Sequence, residues 1–143
     1  MDATARALMQ KRFGHDTILA LATLDAGEPR VRSVDALYLD GSFYVVTHAC
    51  SGKMRQIGLH PQVAVAGEWF TGQGIGESLG AFCDPRNAAL AAALRSAFAA
   101  WLDNGHTDLN DPLTVILRIR MVNGLLFSHG QRYELDFQQE DVG

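Results

Sequence analysis

The chain carries only two cysteines in 143 residues, Cys50 and Cys83, and they form no CxxC pair. A dithiol redox motif and a cysteine zinc cluster are therefore excluded, and both thiols read as small buried apolar residues. The five histidines show no ligand spacing such as HxxxH, and no serine sits in a GxSxG elbow, so no metal site and no hydrolase triad is expected. No pair of carboxylates stands out for acid–base work. Positive charge is not in excess: 12 Lys and Arg stand against 16 Asp and Glu, a net charge of −4, which argues against a nucleic-acid surface. No apolar run approaches the roughly 20 residues that a membrane span requires. The first residues, Met1 to Phe13, are interrupted by Arg6, Gln10, Lys11 and Arg12, unlike the apolar core of a secretory signal. The expectation is a cytoplasmic protein with neither nucleic-acid nor membrane partners.

What remains is an ordinary globular composition, 48% hydrophobic and 20% charged, which suits a single domain over 1–143 with a frayed tail at 139–143. Ala5, Leu8, Met9 and Phe13 follow helical spacing, so 3–13 reads as an amphipathic helix ending near Gly14. Strand-like segments follow at 17–24, 30–39, 42–49, 62–70 and 72–82, with hairpin chemistry at 25–29 and at Asp40-Gly41. Asp84 and Pro85 open an alanine-rich helix that runs to about Leu102. After a loop at 104–112, strands at 113–122 and 125–137 flank Asn123-Gly124, a strong two-residue hairpin signal. Six or seven short strands with few helices predict a mainly β protein, a small antiparallel barrel whose closure removes exposed sheet edges. The interior of so small a barrel is filled by side chains, which sends a large ligand to its outside or to a subunit interface.

The segment from Thr47 to Pro61 concentrates the functional signal. A strand end leads into Ser51, a favoured N-cap, so a short helix begins there, and Lys53 and Arg55 fall in its first turns. Cations are normally disfavoured at the positive end of the helix dipole, and a bound phosphate would offset them. Upstream, Arg30 and Arg32 lie two apart on a predicted strand and share a face. Register decides whether they reach the helix start. The alternate glycines of Gly72-Gln73-Gly74-Ile75-Gly76 lack the spacing of a dinucleotide loop. They mark a bulge, a close backbone approach, or a flat ligand, the last of which fits a cofactor face. Trp69 and Phe70 are core aromatics or flank a planar ring. His48 stands beside the expected site.

In their order and spacing these pieces resemble the pyridoxamine 5′-phosphate oxidase-like FMN-binding split-barrel family, in its short single-domain form. The matching segments are Ile18-Leu19-Ala20-Leu21-Ala22-Thr23-Leu24, Gly27-Glu28-Pro29-Arg30-Val31-Arg32-Ser33-Val34, Asp40-Gly41-Ser42-Phe43-Tyr44-Val45-Val46-Thr47, and Ser51-Gly52-Lys53 running to His60-Pro61. The resemblance implies a split β-barrel that binds FMN, with Arg32, Ser33 and Val34 along the flavin, Thr47 near it, and Ser51 and Lys53 on the phosphate. It further implies a homodimer with the site at the interface, where Trp69 and Gln73 are candidates for the facing wall. The implied activity is that of a flavin-dependent oxidoreductase whose cofactor carries the chemistry, with no side chain assigned as catalytic. A non-enzymatic flavin- or haem-binding protein is the alternative, with His48 or His129 as axial ligand, and a deazaflavin reductase is a third. Gly52 stands where the family often has Arg or Lys, and His60-Pro61 where it often has Asn-Pro. The longer carboxy-terminal segment of true pyridoxamine phosphate oxidases has no counterpart after Phe137, so that vitamin substrate is not expected.

Overall fold

The computed structural model describes residues 1–138, and the fraying expected at 139–143 lies outside them. The elements run α1 (Ala3–Phe13), β1 (Thr17–Asp25), β2 (Glu28–Leu39), β3 (Ser42–His48), α2 (Gly52–Leu59), β4 (Gln62–Gly67), β5 (Phe70–Ala81), a 3-10 turn (Pro85–Asn87), α3 (Ala88–Ala97), β6 (Thr114–Ser128) and β7 (Gln131–Asp136). The strands form one antiparallel sheet in the order β3-β2-β1-β4-β5-β6-β7, and β3 also pairs with β6. That pairing closes β1 to β6 into a barrel and leaves β7 as an added strand. The split-barrel architecture expected from the sequence is the one observed.

Alternation builds the interior. Leu19 and Leu21 of β1, Val34, Ala36 and Tyr38 of β2, and Phe43 and Val45 of β3 point inward. Phe13 of α1 plugs one end of the barrel, its ring 5.7 Å from that of Phe43 and 5.2 Å from that of Phe70. Arg12 fastens the helix there by donating to the carbonyl oxygens of Glu68 at 3.1 Å and Phe127 at 3.0 Å. A second core lies outside the barrel, where Leu94, Phe98 and Leu102 cover Leu37 and Ile116 together with Phe82 and Leu109.

Three connections are two-residue hairpins with both φ angles positive: Ala26-Gly27 (51° and 83°), Asp40-Gly41 (45° and 89°) and His129-Gly130 (50° and 75°). The last replaces the hairpin expected at Asn123-Gly124, which instead lies inside the continuous strand β6. The turn-forming pair serves another purpose there. A Cβ on Gly124 would lie 2.9 Å from the Thr71 carbonyl oxygen and 3.0 Å from the Phe70 ring, so this position needs glycine for close approach. The register also shifts beside it, Gln73 pairing with Asn123 and Gly74 with Met121, which leaves Val122 as a bulge. The helix expected to reach Leu102 ends earlier, at Ala97, where the Phe98 amide closes on the carbonyls of Leu94 and Ser96. The chain then turns so that Phe98 and Leu102 both enter the second core.

Candidate functional site

The start of α2 and the inward face of β1 and β2 meet at the barrel end opposite α1. Ser51 takes extended backbone angles, and its hydroxyl accepts the Met54 N–H at 3.4 Å, which makes it the N-cap its sequence position suggests. α2 can sit close to the sheet because β5 presents Gly76 beneath it: a Cβ there would lie 2.9 Å from Ile57 Cγ2. Helix packing and cap together aim the first turn, with Lys53, at the end of β2.

Arg32 meets it from below. Its Nη1 donates to Thr23 Oγ1 at 2.7 Å and to the Leu21 carbonyl at 3.2 Å, and its Nη2 donates to Gln56 Oε1 at 2.9 Å. The buried Thr23 hydroxyl in turn donates to Gln56 Oε1 at 2.5 Å. Every one of these acceptors is neutral, so the guanidinium is held rigidly while its charge is left uncancelled. Burial lowers the pKa of Arg32 from its ordinary value. Lys53 is likewise lowered, first by burial and then by the positive charge of Arg32. Among the described residues neither forms a salt bridge, whereas the arginines at 30, 86, 118 and 132 each have a carboxylate partner. Two adjacent, partly desolvated cations at a helix N-terminus raise each other's cost unless an anion joins them.

The register thus separates the two arginines that share a strand face. Arg30 is neutralised at the hairpin by Asp25 at 3.5 Å and Glu28 at 3.2 Å, and Arg32 alone joins the helix start. Thr47 lies near the end of β3, paired with Val115, four residues before the cap. Ser33 is exposed on the outer face of β2, and the Val34 side chain points the other way into the core. Gln73 lies on the outside of β5, opposite Ala64 and bonded to Asn123 at 3.3 Å. Trp69 is 71% exposed at the β4–β5 turn, at the α1 end of the barrel, so within one chain it does not meet Lys53. On the side where a Cβ would stand, the alternate glycines answer to close packing, Gly72 meeting Met121, Gly74 the Arg120 carbonyl oxygen and Gly76 Ile57, while Gly72 and Gln73 also border an outer groove.

A shallow outer groove of about 1010 Å³ runs over β1, β4, β5 and β6, floored by Ala20, Ala22, Ala64 and Ala66 and reaching Val31 and Gln73. Neither His48 nor His129 lines it. His48 is exposed and its Nδ1 accepts the Cys50 N–H at 3.1 Å, and His129 occupies a hairpin turn. Cys50 and Cys83 are exposed, not buried as their scarcity suggested. Thr23 and Gln56 escaped the sequence reading, which weighed charges and not the neutral groups that orient them. A signal existed for Thr23, which continues the inward alternation of Leu19 and Leu21 as a polar residue.

No protein-family model and no curated protein matches the sequence. Solved structures do match in fold. A NimC/NimA family protein from Clostridium acetobutylicum is 22% identical with a TM-score of 0.67, over 94% of this chain and 95% of that one. General Stress Protein 26 from Bacillus anthracis is 17% identical with a TM-score of 0.67, over 92% and 98%. A putative pyridoxamine 5′-phosphate oxidase from Listeria innocua is 12% identical with a TM-score of 0.62, over 92% and 96%. The chain therefore has the fold of the pyridoxamine 5′-phosphate oxidase-like split barrels along nearly its whole length.

Proposed function

We propose that this protein is an FMN-binding flavoprotein that acts as a flavin-dependent oxidoreductase, with Lys53, Arg32 and the Ser51 turn as the seat of the cofactor phosphate. The observation that carries this reading is the uncompensated pair Arg32 and Lys53 at the start of α2. Fold alone does not select the ligand, because structures of this fold include a FAD-binding protein from Mesorhizobium loti, a heme binding protein from Mycobacterium smegmatis and an F420 reductase. A doubly charged phosphate monoester suits two cations held by neutral acceptors. The bound isoalloxazine would supply the electron transfer. The chain's own part is to fix the phosphate through Arg32 and Lys53 and to limit water at that end of the barrel through Thr23 and Gln56.

A homodimer belongs to the same reading. Val31 at 70% and Ile18 at 66% exposure flank an alanine-floored face, an apolar surface suited to a second copy. Trp69 and Gln73 would then join the site from the partner, since Trp69 cannot reach Lys53 within one chain. Titration with FMN and with riboflavin, followed by absorbance, tests the assignment. FMN is expected to bind at least ten times more tightly than riboflavin, and Lys53→Ala is expected to erase that difference. Equal affinities in the wild type would overturn the phosphate seat, and a Soret band on adding haem, with no flavin retained, would transfer the protein to haem binding. Sedimentation at micromolar concentration checks the dimer, and a monomer would remove the partner's wall.

A further inference from the structure

Two Asn-Gly pairs occur in the chain, Asn104-Gly105 and Asn123-Gly124. An asparagine before glycine is open to a reaction with its own main chain, because the following residue has no side chain to shield its nitrogen or restrict its rotation. The two pairs are alike in sequence, and the fold treats them in opposite ways.

Asn104-Gly105 lies in the turns between α3 and β6, where residues 103–106 are all exposed. Asn104 Oδ1 accepts the His106 N–H at 3.0 Å, a bond that folds the side chain back over the Gly105 peptide and draws electrons from the amide carbon. The Gly105 N–H donates to no group among the described residues. The ends of the turn are fixed independently of the pair. Leu102 and Leu109 are buried in the second core, Trp101 Nε1 donates to Asp16 Oδ2 at 3.0 Å, and Thr114 Oγ1 donates to the Asp108 carbonyl oxygen at 2.7 Å. Asn104 and Gly105 can therefore rotate without disturbing the core.

Asn123-Gly124 has none of this freedom. Asn123 lies between Gln73 of β5 and Asp136 of β7, and Gly124 between Gly72 and Leu135, so the Gly124 amide belongs to the sheet ladder. Asn123 Nδ2 donates to Gln73 Oε1 at 3.3 Å, which ties the side chain across the sheet. Bringing its amide carbon onto the Gly124 nitrogen would turn the backbone out of the strand and break pairs on both sides.

We propose that Asn104 is a site of spontaneous modification, converting through a cyclic imide to aspartate and isoaspartate, and that the sheet protects Asn123 from the same reaction. Hydroxide takes the Gly105 amide proton, the nitrogen bonds to Asn104 Cγ, and the Cγ–Nδ2 bond breaks as ammonia leaves with a proton from water. A second water then opens the imide: at Cγ it leaves aspartate, and at the main-chain carbonyl carbon it leaves isoaspartate. The net change is one water in and one ammonia out, with nothing oxidised or reduced. Each product adds one negative charge to the net −4, in a turn that already holds Asp103 and Asp108. The isoaspartyl form also routes the main chain through the side chain and lengthens the link between Leu102 and Leu109, both of which the second core holds.

The test incubates the full chain at mildly alkaline pH, folded and in urea, and then cuts it with trypsin, which places Asn104 in Ser96–Arg118 and Asn123 in Met121–Arg132. Fragment masses assign the conversion to a residue and separate Asn104 from Asn110. In urea both Asn-Gly pairs are expected to convert at similar rates. In the folded chain Asn104 should keep that rate and give two product peptides of equal mass, whereas Asn123 should slow by about ten-fold or more, because its conversion waits on opening of the strand. Asn104→Gln should keep the folded chain from gaining negative charge on ion exchange. Equal rates at the two sites in the folded chain would overturn the proposal, as would protection of Asn104 by folding or a charge gain that survives in Asn104→Gln. A single product peptide from Asn104 would overturn the cyclic imide.

Discussion

Gln56 offers a way to separate the architecture of the anion site from its charge. In Gln56→Met the volume is kept and the shared acceptor is lost, so the Arg32 Nη2 and the Thr23 hydroxyl, at 2.9 and 2.5 Å, lose their oxygen. An unsatisfied buried donor costs about 1–3 kcal/mol. Arg32 is only part-buried and can recruit water, and Thr23 can turn toward other acceptors, so the sum is about 2 kcal/mol. For a domain of this size that is a fall in Tm of about 6 °C. Gln56→Glu keeps the acceptor and places a negative charge against Arg32. A charge pair near 4 Å at a partly screened site is worth about 1–4 kcal/mol. The fold should hold, while two free cations become one and FMN affinity falls by about 30-fold, the equivalent of 2 kcal/mol. Riboflavin, which has no phosphate, should bind both forms of the protein alike. Differential scanning fluorimetry and paired FMN and riboflavin titrations read the two effects. Unaltered FMN affinity in Gln56→Glu, or an equal loss for riboflavin, would refute the reasoning.

Lys53→Met tests the same site from the other side. Burial and Arg32 hold the Lys53 ammonium below its ordinary 10.5, so the stability present above that pH is lost as the pH falls through the lowered value. The ligand-free variant should therefore melt above the wild type at neutral pH, with the gap closing toward pH 10.5, and should lose the rise in Tm that FMN confers; a variant that melts lower would contradict this. Gly130→Ala, at a φ of 75°, should cost about 1 kcal/mol by urea unfolding. Gly124→Ala should cost more, about 2–3 kcal/mol, because its Cβ would press on the Thr71 carbonyl oxygen 2.9 Å away. The reverse order would return the turn to Asn123-Gly124. Gly76→Ala pushes Ile57 and lifts α2, and is expected to weaken FMN more than riboflavin; equal weakening would uncouple the seating of α2 from the phosphate.

Much of the fold was legible because alternation and turn chemistry act over a few residues. Asp40-Gly41 and the inward run of Leu19 and Leu21 needed no distant information. Asn123-Gly124 misled because a pair suited to positive φ is equally suited to a bulge and to close approach, and only the neighbouring strand β5 distinguishes them. The end of α3 was hidden for a related reason. Alanine-rich sequence favours continuing the helix, and the pull of Phe98 and Leu102 into a core built from β2 and β6 is a tertiary effect. At the site, Ser51 and Lys53 were readable from the helix start. The choice of Arg32 over Arg30 was not, since it depends on which arginine meets carboxylates in the folded register. Thr23 and Gln56, 33 residues apart, become partners only when α2 lies on the barrel.

The pairing of β3 with β6 dictates an order of assembly. Hairpins from β1 to β5 can form as soon as each is synthesised, but β3 ends at His48 and its partner begins at Thr114. Until that late strand arrives, β3 and β5 both present open edges, and the chain depends on a contact of high sequence separation to hide them. A nascent or truncated chain that stops before β6 is thus an incomplete ring with two sticky ends, and the last long strand acts as the lock that covers both at once.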